Sequence, residues 1–249
     1  MKKLLLFAIV ISIISCKQKE KLTAQQIIDK AIEVSGGELY TTSEISFDFR
    51  KIKYMLSYVS NRKQLKRIFK KDGAIVKDVL AANKLQRFVN DSLIQVPDSM
   101  AVKYVNSVNS VHYFVYLPYG LNDGAVKKKL LGEVIIKEKP YYKIKVTFAK
   151  EGGGVDYDDT YIYWFNKETF KPDYLAYEYH VGKGGIRFRE AYNERFVEGI
   201  RFVDYYNLKP KSNTISILDI DELYSNGNLE LLSKIELENV QVNKEISQF

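Results

Sequence analysis

Hydrophobic and polar positions alternate with a period of two over most of the chain, and the alternation is clearest from Thr160 to His180. There Tyr161, Tyr163 and Phe165 share one side, while Thr160, Ile162 and Trp164 share the other, which is the spacing of an extended strand. Asn166-Lys167-Glu168-Thr169 supplies turn formers, and Pro172, which cannot donate to a ladder, belongs at the turn or at the start of the return strand. That return strand sets Leu175, Tyr177 and Tyr179 against Tyr174, Ala176, Glu178 and His180. Neither side of the hairpin is a plain solvent face. One side needs cover, and the other is expected to front a cavity.

The same period runs through Ile45–Phe49, Tyr54–Val59, Gln64–Lys70, Ile75–Ala81, Lys84–Val89 and Leu93–Val96, with Asn90-Asp91 as a tight turn. Strand follows strand with no helix between, so this part is a meander. It resumes with Val134–Lys137, Tyr141–Phe148, Ile186–Ala191, Arg195–Val197, Ile200–Tyr206, Thr214–Leu218 and Leu231–Val242. Helical spacing occurs twice. Thr23 and Gln26 form a capping box ahead of the Ile27, Ile28, Ala31, Ile32 stripe, and Gly36-Gly37 ends that helix, predicted over Ala24–Ser35. Ala101, Val105, Val108 and His112 predict a second helix over Ser99–Tyr113, followed by the apolar loop Phe114–Tyr119. The fold class expected is therefore mainly β with helices (α+β): one large curved antiparallel sheet, an open half-barrel, covered by the N-terminal and mid-chain helices.

The N-terminus changes where this fold is expected to reside. Lys2 and Lys3 precede an apolar run, Leu4–Ile14, too short to span a bilayer, so residues 1–15 read as a secretory signal. The run ends Ile13-Ile14-Ser15-Cys16, which resembles the lipobox of bacterial lipoproteins. That resemblance implies cleavage before Cys16, acylation of Cys16, and a membrane partner reached through the acyl chains. Residues 16–22 then form a lipidated tether and 23–249 one β-rich domain. Cys16 is the only cysteine, so an intramolecular disulfide is excluded. The formal charge of +7 is spread among interleaved acids, with no basic arm of the kind that binds nucleic acid.

The helix, meander, second helix, apolar loop and aromatic hairpin, with Tyr163-Trp164-Phe165-Asn166-Lys167-Glu168-Thr169-Phe170-Lys171-Pro172 as its strand–turn–strand motif, resemble the LolA/LolB-like half-barrel of periplasmic lipoprotein carriers. The resemblance implies a curved sheet around an apolar cavity with helices as its lid. The stretches Phe188–Arg195 and Glu151–Gly154 also resemble an uncharacterised family of Gram-negative lipoproteins. Together with the anchor, these imply a cell-envelope location, in the outer membrane, with the periplasmic or surface face undecided.

Tyrosine is abundant, 19 residues beside 13 phenylalanines, and its apolar body with a polar tip suits the rim of an amphiphile-binding groove. The ligand-binding candidates are Tyr161, Tyr163, Trp164, Tyr177, Tyr179, Phe114, Tyr116 and Tyr119, for a lipid or acylated molecule. An interaction lipoprotein with a filled core is the alternative, and an enzyme of unrecognised type a third. Glu151, Asp156, Asp158 and Asp159 surround three glycines, so they are either a calcium loop or a solvated entry to the next strand. No other cofactor is expected. His112 and His180 are the only histidines, and with Cys16 read as the anchor a zinc site would need both of them plus a carboxylate. Arg187, Arg189, Glu190, Glu194 and Arg195 form either an ion-pair ladder or a receptor for an anionic headgroup. No nucleophile elbow or phosphate loop is present, so no catalytic residue is assigned.

Overall fold

The computed structural model describes residues 21–60, 62–82, 84–152, 157–180, 182, 184–211 and 215–244. It opens with helix α1 (Ala24–Val34), whose capping box is formed as the sequence predicts: Gln26 N–H donates to Thr23 Oγ1 at 3.2 Å, and Thr23 N–H donates to Gln26 Oε1 at 2.8 Å. The apolar stripe buries Ile27, Ile28 and Ala31 completely. A one-turn helix, α2 (Leu39–Thr42), follows, with Tyr40 fully buried. Gly36 lies between the two with φ +135, where a Cβ would come within 3.2 Å of the Ile200 Cα. Glycine therefore serves both the backbone angle and the close approach.

Strands β1 (Glu44–Phe49), β2 (Ile52–Val59), β3 (Arg62–Lys71), β4 (Ala74–Ala81), β5 (Lys84–Val89) and β6 (Ser92–Ile94) form the expected antiparallel meander. Val89 pairs with Ser92 across Asn90-Asp91, both at positive φ, as a two-residue hairpin turn requires. Helix α3 (Asp98–Val115) comes next, longer than its apolar spacing predicts by one residue at its start and two at its end. A 3-10 turn (Tyr119–Asn122) leads into β7 (Val126–Ile136), β8 (Lys139–Phe148), β9 (Thr160–Asn166), β10 (Pro172–Tyr179), β11 (Gly185–Val197) and β12 (Ile200–Pro210). The strand expected over Thr214–Leu218 is replaced, in its described part, by a 3-10 turn (Ile217–Asp219) that runs into helix α4 (Ile220–Ser225). Ser216 caps that turn by accepting the Leu218 N–H.

The class is mainly β with helices, the sheets are antiparallel and open, and the helices lie at the N-terminal and mid-chain positions as expected. The strands divide into two seven-stranded sheets where one was expected. With β13 (Leu229–Ile235) and β14 (Glu238–Asn243) as the last described strands, the first sheet has the order β14-β1-β2-β3-β4-β5-β6 and the second β13-β12-β11-β10-β9-β8-β7. Two features separate them. Helix α3 intervenes between β6 and β7, and the run expected as one strand over Leu231–Val242 changes sheets midway. Its first part, β13 (Leu229–Ile235), pairs with β12, and its second, β14 (Glu238–Asn243), pairs with β1.

Three apolar clusters fill this frame. One lies on the first sheet and joins Phe47, Tyr54, Leu56 and Leu65 to Val108 of α3. Another lies on one face of the second sheet, where Ile144, Tyr163, Phe165 and Leu175 meet Ile27 and Ile28 of α1. The third lies on the opposite face, where Ile162, Trp164, Ala176 and Phe188 meet Ile217 and Ile220. Among the described residues no helix is long and apolar enough to cross a membrane.

Candidate functional site

The hairpin β9–β10 has the predicted strands and turn. Asn166 Oδ1 accepts the N–H groups of Glu168 (2.9 Å) and Thr169 (3.1 Å), closing an Asx turn. Both faces are covered along its first strand: Ile162, Tyr163, Trp164 and Phe165 are all fully buried. The expectation that one face would front a cavity is therefore not met along Ile162–Phe165. Helix α4 supplies the cover that periodicity alone left unassigned on the Trp164 side.

The predicted ligand-binding residues fall into three places. Tyr161, Tyr163, Tyr177, Tyr179 and Phe114 come together on the face that α1 and the end of α3 cover. Tyr161 stacks on Tyr163 (6.4 Å between centroids) and on Tyr177 (5.7 Å), and Phe114 lies 5.4 Å from Tyr177. Trp164 is on the opposite face, where its Nε1 donates to Asp221 of α4 at 3.3 Å. Tyr116 and Tyr119 belong to the first sheet's cluster, Tyr119 stacking on Tyr40 at 4.8 Å. Alternation alone could not separate these groups, because the stretch Phe114–Tyr119, expected as a loop, begins inside α3 and spans the junction between the sheets.

Helix α3 is positioned from two sides. Along its first turns it is held to the first sheet by charge. Asp78, fully buried, accepts from Arg67 Nε at 2.7 Å and from Arg87 Nε and Nη2 at 2.7 and 2.8 Å. Arg67 Nη1 in turn donates to Ser107 of the helix at 2.5 Å, and the Arg87 guanidinium lies 3.4 Å from the Tyr104 ring centroid. At the far end, contact with the second sheet is aromatic. The hydroxyls of Tyr113 and Tyr163 are 2.9 Å apart; Tyr163 is fully buried and Tyr113 half-buried. Burial pushes both phenols up and keeps them neutral.

Beside this aromatic end sits Arg189, which sequence reading placed in a charged run on β11. Its cross-strand neighbours are Leu175 and Asn207, so it faces the covered side with Tyr177. It is 8% exposed. Its guanidinium carbon lies 3.8 Å from the Phe114 centroid, 5.2 Å from Tyr177 and 5.9 Å from Tyr205. Nη2 donates to the Tyr177 hydroxyl at 3.2 Å, while the buried Nε has no hydrogen-bond partner among the described residues. Two residues along the strand, Arg187 donates to the Tyr179 hydroxyl at 2.8 Å and to its neighbour's carbonyl. Among the described residues neither arginine forms an ion pair. The rest of the run is an ion-pair ladder, as one of the two readings held: Glu190 with Lys137, Glu194 with Lys171 and Arg201, and Arg195 with Asp204. Tyr205, Asn207 and Tyr113 carried no signal in the sequence that set them apart from other core residues.

Of the acidic loop, Asp156 lies outside the described residues, Glu151 and Asp158 are exposed, and Asp159 is buried. Among the described residues no group of three or more His, Cys, Asp or Glu side chains could hold a metal ion. His180 is exposed. His112 is a core residue: Nε2–H donates to the Lys66 carbonyl at 3.1 Å, Nδ1 faces the Tyr116 hydroxyl at 3.3 Å, and Phe47 and Tyr54 meet it edge-on. Cys16 and the signal segment lie outside the described residues.

Among solved structures the chain is similar to a LolA superfamily protein from Nitrosomonas europaea, with 14% identity, 89% of this chain and 94% of the other covered, and a TM-score of 0.47. It is similar also to a DUF1329 family protein from Desulfovibrio piger, with 11% identity, 88% and 92% coverage and a TM-score of 0.42. No curated protein matches it. A family model described as "Family of unknown function (DUF6503)" matches residues 2–237, and the chain belongs to that family.

Proposed function

We propose that the protein is a lipid-anchored component of the cell envelope that holds an amphiphile against the α1/α3-covered face of the second sheet, with the C-terminal end of α3 as its lid. The observation that carries this reading is the aromatic seam between Phe114 and the β9–β11 face. Phe114, Tyr177 and Tyr179 are only half-buried, while the residues beneath them are sealed. Tyr113 and Phe114 meet that face through ring contacts, an arginine and one phenol pair. Such a boundary opens by rotating side chains, without breaking a ladder. An acyl chain slid beneath Phe114 would bury apolar area at about 25 cal/mol per Å². Anchorage would come from acylated Cys16, in the outer membrane on the lipobox reading, and Cys16→Ser should abolish incorporation of labelled palmitate.

The decisive measurement is native mass spectrometry of the chain extracted from envelope membranes. A retained ligand bearing an acyl chain, at one per protein, supports the proposal. Bare protein after exposure to a fatty acid, a phospholipid and an acylated peptide overturns it. A second reading, an interaction lipoprotein with a closed core, is favoured by one specific observation: both faces of β9 are filled. Bare protein that co-purifies with one stoichiometric envelope protein would establish that reading instead.

A further inference from the structure

The two arginines on β11 point to the chemistry of the ligand's polar end. A guanidinium is always charged, and it is left uncompensated in a protein interior only at considerable cost. Arg189 is more than nine-tenths buried, yet its described partners are a phenol and three aromatic rings. Stacking on rings stabilises a cation by about 0.5–2 kcal/mol, but it leaves the N–H groups in the ring plane unanswered. Nε is such a group and has no partner among the described residues. Arg187, facing the same way, adds a second charge held by a phenol and a carbonyl. The acidic neighbours on this strand are engaged elsewhere, Glu190 with Lys137 and Glu194 with Lys171 and Arg201. Directly across the ladder from Arg189, Asn207 Oδ1 is a buried acceptor that also lacks a partner among the described residues. Phe114 lies over the guanidinium, so the rings that would hold an alkyl chain and the cation that would hold its head are contiguous.

We infer that Arg189 is the headgroup receptor of this site and that the ligand is an anionic amphiphile, its carboxylate or phosphate oxygen accepting the Nε–H of Arg189 while its chain lies along Phe114 and Tyr177. Planar guanidinium suits either oxyanion. Arg187 sits two positions along the strand as a second cation for a doubly charged head, and Asn207 takes a donor on the head where one exists. This rests on the amphiphile-binding reading above and goes beyond it by assigning the charge of the ligand and the residue that reads it.

The test is photolabelling of the full chain in phosphatidylcholine membranes with a diazirine analogue of palmitic acid and, separately, with its methyl ester. Labelled peptides are then located by mass spectrometry. The expected result is labelling on the Phe114 and Tyr177 peptides that favours the acid over the ester by about ten-fold, the scale of one charge-assisted hydrogen bond. Arg189→Met should abolish that preference, read as the ratio of acid to ester labelling within the variant. Arg189→Lys, which keeps the charge but not the fork, should lower it and serves where the methionine variant fails to melt cooperatively. Equal labelling by acid and ester, or a preference untouched in both variants, overturns the headgroup assignment and leaves amphiphile binding standing. No labelling of these peptides by either probe overturns both. Millimolar inorganic phosphate that displaces the acid as well as unlabelled palmitate does would make the site a receptor for free oxyanions and overturn the amphiphile assignment.

Discussion

The carboxylate of Asp204 accepts the backbone N–H of Leu237 at 2.9 Å, and that bond sits at the corner where one extended run leaves the second sheet and joins the first. Asp204 lies on β12 and is 2% exposed. It also accepts from Asn193 at 2.6 Å and pairs with Arg195, whose Nη2 donates to the Leu237 carbonyl at 2.9 Å. Both backbone groups of Leu237 are thus answered by side chains of the second sheet at the point where ladder pairing stops. Nearby, the start of β12 contributes Ile200 and Phe202 to the first sheet's cluster. The two sheets are held as a pair by this corner and by α3.

Asp204→Ala should therefore cost more than its one ion pair suggests. It removes four accepted hydrogen bonds, two of them from Arg195, and leaves the Leu237 N–H and Asn193 amide unanswered, for an expected loss of about 2–4 kcal/mol. Urea unfolding of the variant against the parent measures it. A loss under about half a kilocalorie, the level of an ordinary surface change, would mean that the corner is held by packing alone.

Asp78 is the corresponding point on the helix side. Asp78→Ala strands two guanidinium groups beneath α3, and removing one partner of a buried pair costs about 3–5 kcal/mol. The local consequence is the sharper one. Arg67 reaches Ser107 and Arg87 packs on Tyr104 only because Asp78 holds both. The amides of the first half of α3 should exchange faster relative to those of α1 in the variant. Uniform acceleration across the chain would show that Asp78 supports the first sheet and not the seating of the helix.

How far the sequence carries is itself physical. The α1 capping box, the Asn90-Asp91 turn and the Asn166 turn were legible because each is settled within four residues by a backbone group seeking a partner. The alternation of β9 was legible too, but it says only that two faces are apolar. It does not say what lies against them, and here α4, formed where a strand was expected, covers one of them. Leu231–Val242 reads as one strand because its pattern is continuous, and only the ladder partners divide it. Arg189 was visible as a charged position in a charged run. Its isolation from every described carboxylate is a property of pairing across strands far apart in sequence, which periodicity does not encode.

Trp164 is the chain's only tryptophan and is fully buried on the face away from the proposed site, against Phe188 and Asp221. Its emission should be blue-shifted and protected from iodide. Saturating the site with palmitic acid should leave it unchanged, since the ligand contacts the other side of the sheet. Ile220→Asp, which places a charge under α4, should shift the emission to the red and expose it to iodide. A ligand-induced shift in the parent protein would place binding on the Trp164 face instead.

His112 gives the fold a defined response to acid. Burial lowers its pKa from 6.5 to about 4, because the ring is enclosed by Phe47, Tyr54 and Tyr116 and the Lys66 carbonyl only partly offsets the loss of water. A group whose folded pKa is depressed is held neutral by the fold, and the unfolded chain takes up its proton first. The stability it supplies is complete above pH 6.5. It falls progressively as the unfolded form protonates, and the loss levels off below about pH 4, where the folded form protonates as well. The full span corresponds to about 3 kcal/mol. Carboxyl groups in general protonate toward the acid end of the same window, so the measurement is a difference: denaturant midpoints of the parent and of His112→Gln at pH 7, 5.5 and 4.5. Glutamine can still donate to the Lys66 carbonyl but carries no titratable proton. The parent should lose stability relative to the variant as pH drops, and parallel curves would show that His112 titrates alike in the folded and unfolded chain.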